Sequence, residues 1–240
     1  MKLISRLPNF LLLFFVSISV FGTDIYMTDI EGLHQKDEQG VYDLILKEAL
    51  TKVTAPVTLN LGGPEETFKT FESCTDCCYT PANNSPLFYD WEGDIVELAA
   101  MNYAKVYIFS APGKPAYSTF DQLKGKRVGA RTGMDYGKDV AASGIPLTTS
   151  DSIVDNIKKL DAGELDAFIA FVPDAYLAFK SLNVQPYPHS ERTPMAIHID
   201  RVICRGAPGE FTDSLNNAMK ALRKNGTMRR ILGDTYVKPY

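Results

Sequence analysis

Segments of strand character and segments of helix character alternate along the chain, and this alternation constrains the fold more than any other feature. Residues 25–27 read as a short strand. After the polar loop 31–40, Tyr42, Ile45, Leu46, Ala49, Leu50 and Val53 recur at helical spacing, with Asp43, Lys47, Glu48 and Lys52 on the other face. Pro56 ends that helix, residues 57–61 read as a strand, 68–73 as a helix and 77–80 as a buried strand. Residues 104–109 form a strong strand that runs into the turn-rich connector 110–115. A second set then begins with strand 127–130, which leads through Gly133 towards a helix. Ile153, Val154, Ile157 and Leu160 mark another helix, capped near residues 149–151 and stopped by Gly163. The unbroken apolar run 167–171 suits a parallel strand covered on both faces. A helix from Asp174 to Leu182, a β-like stretch 197–204 and a helix carrying Leu215, Met219 and Leu222 complete the pattern. Strands and helices in alternation predict an α/β fold with largely parallel pairing.

Charge narrows the partners. The 240 residues carry 25 Lys+Arg against 29 Asp+Glu, a net charge of −4, with no basic cluster dense enough to follow a phosphate backbone. Nucleic acid is therefore excluded as the expected partner. At the amino end, Lys2 and Arg6 precede the apolar residues 10–21 and the small Gly22, the layout of a cleavable export signal over residues 1–22. The apolar run is shorter than the ~20 residues that cross a bilayer as a helix. An exported, soluble, monomeric and periplasmic protein is expected.

Export makes the four cysteines worth placing. Cys74, Cys77 and Cys78 cluster, and Cys204 lies far along the chain. No His accompanies the cluster, so no metal site is expected. If Cys77 and Cys78 share a strand they face opposite ways, so at most one serves a given bond. The cysteines are expected either as small buried hydrophobes or with a single disulfide of open pairing, within the cluster or to Cys204.

Three stretches together resemble the extracytoplasmic solute-binding proteins of family 3, which have the type II periplasmic binding fold. Residues 120–129 (FDQLKGKRVG) are similar to the family's entry into its second lobe, residues 160–168 (LDAGELDAF) to its "L.aGkvDAvv" motif, and residues 215–231 (LNNAMKALRKNGTMRRI) to its closing helix. Residues 40–44 (GVYDL) resemble its "GydvDL". The resemblance implies two α/β lobes: residues 23–109 plus 196–240, and residues 113–195, with crossovers near 109–113 and 194–197. It further implies a solute held in the cleft between them, an ABC permease or membrane sensor as partner, and no cofactor.

The family's amino-acid contacts are missing. In the stretch Tyr79-Thr80-Pro81-Ala82-Asn83-Asn84, Asn83 or Asn84 stands where family members carry the Arg that pairs with a ligand carboxylate. Counting five residues from Asp166, to where the family places the Asp that accepts the ligand ammonium, lands on Phe171. The residues 133–135 (GMD) replace Gly-Thr-Thr at the expected helix start. Arg131, Thr132, Gly133 and Asp135 are candidate site residues there, with Arg131 either an anion site or a solvated partner of Asp135. Thr80, Asn83 and Asn84 are candidates on the first lobe, against simple turn chemistry for the asparagines. Phe171 either lines the cleft or fills the core, and Leu33 lies in the loop where the family often stacks a ligand. His34 is expected at the surface and Trp91 against its own loop. The expected function is capture of a small polar solute, not a standard α-amino acid, for uptake or sensing. The alternatives are a cyclohexadienyl dehydratase-like enzyme on the same fold, for which no acid/base motif is found, and an accessory or sensory lobe that contacts a partner protein.

Overall fold

The structure is a computed structural model that describes residues 22–238. Apart from Gly22, the expected export signal lies outside the described residues. No helix among the described residues is long and apolar enough to cross a membrane.

Strand β1 (Thr23–Thr28) leads to α1 (Val41–Leu50). That helix turns Tyr42, Ile45, Leu46 and Ala49 into the core, each at most 1% exposed, as their spacing predicts. Full burial of each large apolar side chain contributes ~1.5–3 kcal/mol. Asp43 in its first turn accepts from the Gly40 N–H at 3.1 Å and so occupies an amide that the helix leaves free. β2 (Val57–Gly62), α2 (Pro64–Ser73) and β3 (Cys77–Ala82) follow, with Pro at the first helical position of α2. β1 pairs in parallel with both β2 and β3.

A two-residue strand β4 (Val96–Glu97) precedes the long β5 (Asn102–Ser110). The second set comprises β6 (Val128–Arg131), α3 (Lys138–Ala142), β7 (Leu147–Ser150), α4 (Ile153–Asp161), β8 (Ala167–Val172) and α5 (Asp174–Ser181). Ser152 caps α4, its Oγ accepting from the Asp155 N–H at 3.0 Å. The chain then forms β9 (Ala196–Arg205), α6 (Gly209–Lys224) and α7 (Thr227–Leu232). Gly226, in the left-handed region at φ +79°, separates the last two helices.

The strands follow the order β2-β1-β3-β9-β5-β8-β6-β7, with β4 added to β9. β9 serves both halves: residues 196–200 pair with β5, and residues 201–205 with β3. Pairing is mixed, because β5 and β9 run antiparallel to their neighbours while β6 lies parallel to β7 and β8. β5 also pairs with β8 over residues 105–110, so the strand before the 110–115 connector already lies in the second half. α1, α6 and α7 cover one face of the first half around Ile25, Leu46 and Met219, and Phe71 of α2 covers the other with Tyr79. In the second half Phe109, Phe168 and Phe179 build one core and Val106, Ile108 and Ile169 the other. The run 167–171 is thus buried on both faces.

Three expectations need correction. No helix starts at Gly133: residues 132–137 form a loop, because Gly133 and Gly137 adopt φ of +74° and +102°, and α3 begins only at Lys138. There are two disulfides rather than one, Cys74–Cys77 and Cys78–Cys204. Cys77 and Cys78 do face opposite ways, and each finds a partner on its own side. His34 is fully buried, not on the surface, with Nδ1 2.7 Å from Asp43 Oδ1 and Nε2 3.3 Å from Thr80 Oγ1.

Candidate functional site

The parallel strands β1, β2, β3, β6 and β8 deliver their carboxyl ends to one place, where an α/β sheet presents its loops to a ligand. Thr28, Pro64, Pro81, Gly133 and Asp174 come from or just after those ends, and all line a cavity of about 60 Å³ between the two halves. Gly133 makes that meeting close. A Cβ added there would stand 3.2 Å from the Glu65 N and 3.3 Å from the Pro64 Cβ at the start of α2.

The walls are aromatic on both sides. Phe68, Tyr79 and Tyr89 come from the first half and Phe171 from the second. Tyr79 is fixed by a hydrogen bond of 2.9 Å between its hydroxyl and Thr28 Oγ1, and Tyr89 stacks on Trp91 at 4.6 Å between ring centroids. Trp91 itself is no wall of the cavity: its Nε1–H donates to the Asn83 carbonyl at 2.8 Å.

Polar groups enter from β9 and α5. His198 and Asp200 are two apart on β9 and so share a face. Asp200 Oδ1 lies 2.7 Å from His198 Nδ1, and Oδ2 accepts from the Tyr42 hydroxyl. Burial, then the charge of Asp200, holds the Tyr42 hydroxyl well above the usual phenol range, which keeps it an O–H donor. His198 Nε2 shares a 3.2 Å hydrogen bond with the Tyr89 hydroxyl. Asp174 opens α5 beside this chain and is 7% exposed. Its Oδ1 is fully buried and has no hydrogen-bond partner among the described residues. Burial and the neighbouring Asp200 push its carboxyl up to about 7, against the opposing pull of Arg131.

Of the residues singled out from sequence, Leu33, Gly133, Asp135 and Phe171 line the cavity. Arg131 and Thr132 do not; they border an open groove outside it, with Glu65 and Asp151. The Arg131 guanidinium donates to the Asp29 carbonyl at 2.7 Å and to the Asp151 carbonyl at 3.3 Å, which ties the two halves together. Thr80 is buried against His34, and Asn83 is buried with its Oδ1 accepting from the Ser85 N–H. Asn84 is exposed, and its N–H donates to Glu97. Sequence reasoning missed Asp174, His198 and Asp200. Asp174 reads as a helix start, yet a charge two residues past a wholly apolar strand is a signal for a strand end that faces a site.

No protein-family model matches the chain, and no curated protein matches it. Solved structures do. A histidine kinase sensor domain with similarity to periplasmic binding proteins superposes with a TM-score of 0.69 at 16% identity, over 89% of this chain and 95% of that one. The fold is that of the periplasmic binding proteins. The GluR0 ligand-binding core from Nostoc punctiforme in complex with L-glutamate matches this binding-protein fold with a TM-score of 0.73 at 12% identity, over 89% and 99% of the two chains. The arginine-, lysine-, histidine-binding protein ArtJ from Geobacillus stearothermophilus gives 0.68 at 16% identity, over 91% and 96%. Two α/β lobes around a cleft are thus the architecture of this chain.

Proposed function

We propose that the protein is an exported binding module that captures a small solute other than a standard α-amino acid between its lobes and releases it unchanged. One observation carries this reading: the partly open cavity between the halves has aromatic walls and buried carboxyl groups, but no fixed cation among its lining residues to take a ligand carboxylate. Sheet pairing supports lobe crossings near Met101–Asn102 and Asp200–Arg201, earlier and later than the sequence expectation. Gly133 already lies against the start of α2, so the solute would enter as the halves part and be buried as they return to this arrangement, with no covalent step. The module would act as a periplasmic monomer that hands its solute to an ABC permease or reports it to a membrane sensor. Similarity to a kinase sensor domain favours sensing as strongly as similarity to transport proteins favours uptake.

Calorimetry of the purified protein against amino acids, amines, organic acids and cyclic dienol acids, with product analysis of every hit, tests the reading. A solute that binds saturably and is recovered intact is expected. Turnover of any hit would replace the binding module by an enzyme. If no compound binds, the cleft serves a protein partner instead.

A further inference from the structure

The composition of the cavity restricts the charge of its solute, an inference that rests on the binding-module reading above. Asp174 and Asp200 are both more than nine-tenths buried, and Asp135 stands at the exposed rim of the same cavity. Against these three carboxylates stands one imidazole, His198. Arg131, whose charge reaches Asp174, does not line the cavity and donates from Nε and Nη2 to the Asp151 and Asp29 carbonyls. Asp200 has both oxygens occupied by His198 and Tyr42, whereas Asp174 Oδ1 has no donor at all. A buried carboxylate oxygen without a donor is costly, and a ligand N–H is the group that would relieve it.

Other occupants fit worse. An anion meets Asp200 and Asp135 and, above about pH 7, a charged Asp174 as well. A zwitterion finds no donor array for its own carboxylate, and a neutral apolar molecule leaves Asp174 unpaired. No group of three or more His, Cys, Asp or Glu side chains among the described residues is placed to hold a metal ion. Size excludes more. About 60 Å³ is well under the ~150 Å³ of a dry cavity that holds benzene. The aromatic walls add a surface that attracts a cation through the ring faces.

We propose that the cavity takes a small organic ammonium ion without a carboxylate, its N–H group donating to the Asp174 carboxyl group, which lines the cavity, and its alkyl part lying against Phe68, Tyr79, Tyr89 and Phe171. The test is calorimetry on the purified protein with methylammonium, ethylammonium, ethanol as the neutral counterpart of ethylammonium, acetate, glycine, L-glutamate and L-arginine. One or both ammonium ions bind saturably, while ethanol and acetate bind at least about tenfold more weakly or not at all. In Asp174→Asn the ammonium affinity falls about 10- to 100-fold, the worth of a charged hydrogen bond. Asp135→Asn, at the rim, loses less and controls for long-range charge. Preferential binding of acetate or an amino acid overturns the ammonium proposal and leaves the binding module standing. Unchanged ammonium affinity in a folded Asp174→Asn protein overturns it as well. If neither ammonium ion binds, this proposal falls; the binding module falls only if the broader panel above also fails.

Discussion

Replacing Asp174 by Asn should stabilise the ligand-free protein, and by an amount that grows with pH. In the folded state burial and Asp200 raise the carboxyl to about 7, while an unfolded aspartate ionises near ~3.9. Between these values the folded protein holds a proton that the unfolded chain has released. Stability therefore falls as pH rises from about 4 to about 7, and the penalty is complete above that. At 1.36 kcal/mol per pH unit the full penalty is about 4 kcal/mol, of which about 2–3 kcal/mol develops between pH 5 and pH 8. Asp200, Arg131, Tyr42 and Tyr136 act on Asp174, and His198, Tyr89 and Asp135 line the same cavity; all are present in both proteins. Thermal unfolding followed by circular dichroism at pH 5 and pH 8 is the assay. The melting-temperature gain of Asp174→Asn should be larger at pH 8 by about 5–10 °C, taking 2–4 °C per kcal/mol for a chain of this size. Parallel melting curves across that range, or an Asn variant less stable at pH 8, would refute the account of a buried, uncompensated carboxylate.

Gly133→Ala places a Cβ at φ +74° and 3.2 Å from the Glu65 N; the left-handed strain alone costs about 1–2 kcal/mol, and solute affinity should drop as the halves are held apart, read by calorimetry. Arg131→Ala should leave affinity for acetate unchanged and shift the pH at which stability falls upward, since Arg131 is what opposes the rise at Asp174; a lower transition pH would contradict this. Tyr42→Phe removes the donor to Asp200 in a fully buried place and should cost about 1–3 kcal/mol in denaturant unfolding. Replacing Cys78 and Cys204 together by Ala removes a link between residues 126 apart, with an expected loss of roughly 4–5 kcal/mol.

The fold was legible because its evidence is local. The helical spacing from Tyr42 to Ala49, the apolar run over β8 and the caps of α4 each depend on neighbours in sequence. β7 was not legible, since its residues Leu-Thr-Thr-Ser sit at a sheet edge, largely exposed, and need no alternation. The candidate site was read only in part for a related reason. In Ile197-His198-Ile199-Asp200 the apolar residues suggest the inward face, yet Ile197 is 38% exposed while His198 and Asp200 are 4% and 2% exposed. A strand's period tells which residues share a face but not which face is covered, and here the polar face turns inward. Arg131 shows the limit from the other side. Its charge suggested an anion site or a solvated partner of Asp135, and only tertiary structure reveals that it donates to the carbonyls of Asp29 and Asp151.

The Cys78–Cys204 bond encloses the whole second lobe, for the bonded residues flank its entry and its exit on adjacent strands of the first. The second lobe is therefore a guest domain stapled at its base. A protease that nicks it anywhere between those cysteines would produce two fragments on a reducing gel and a single species on a non-reducing one. The severed module would keep β3 and β9 side by side, so that its two pieces remain in register for reassembly.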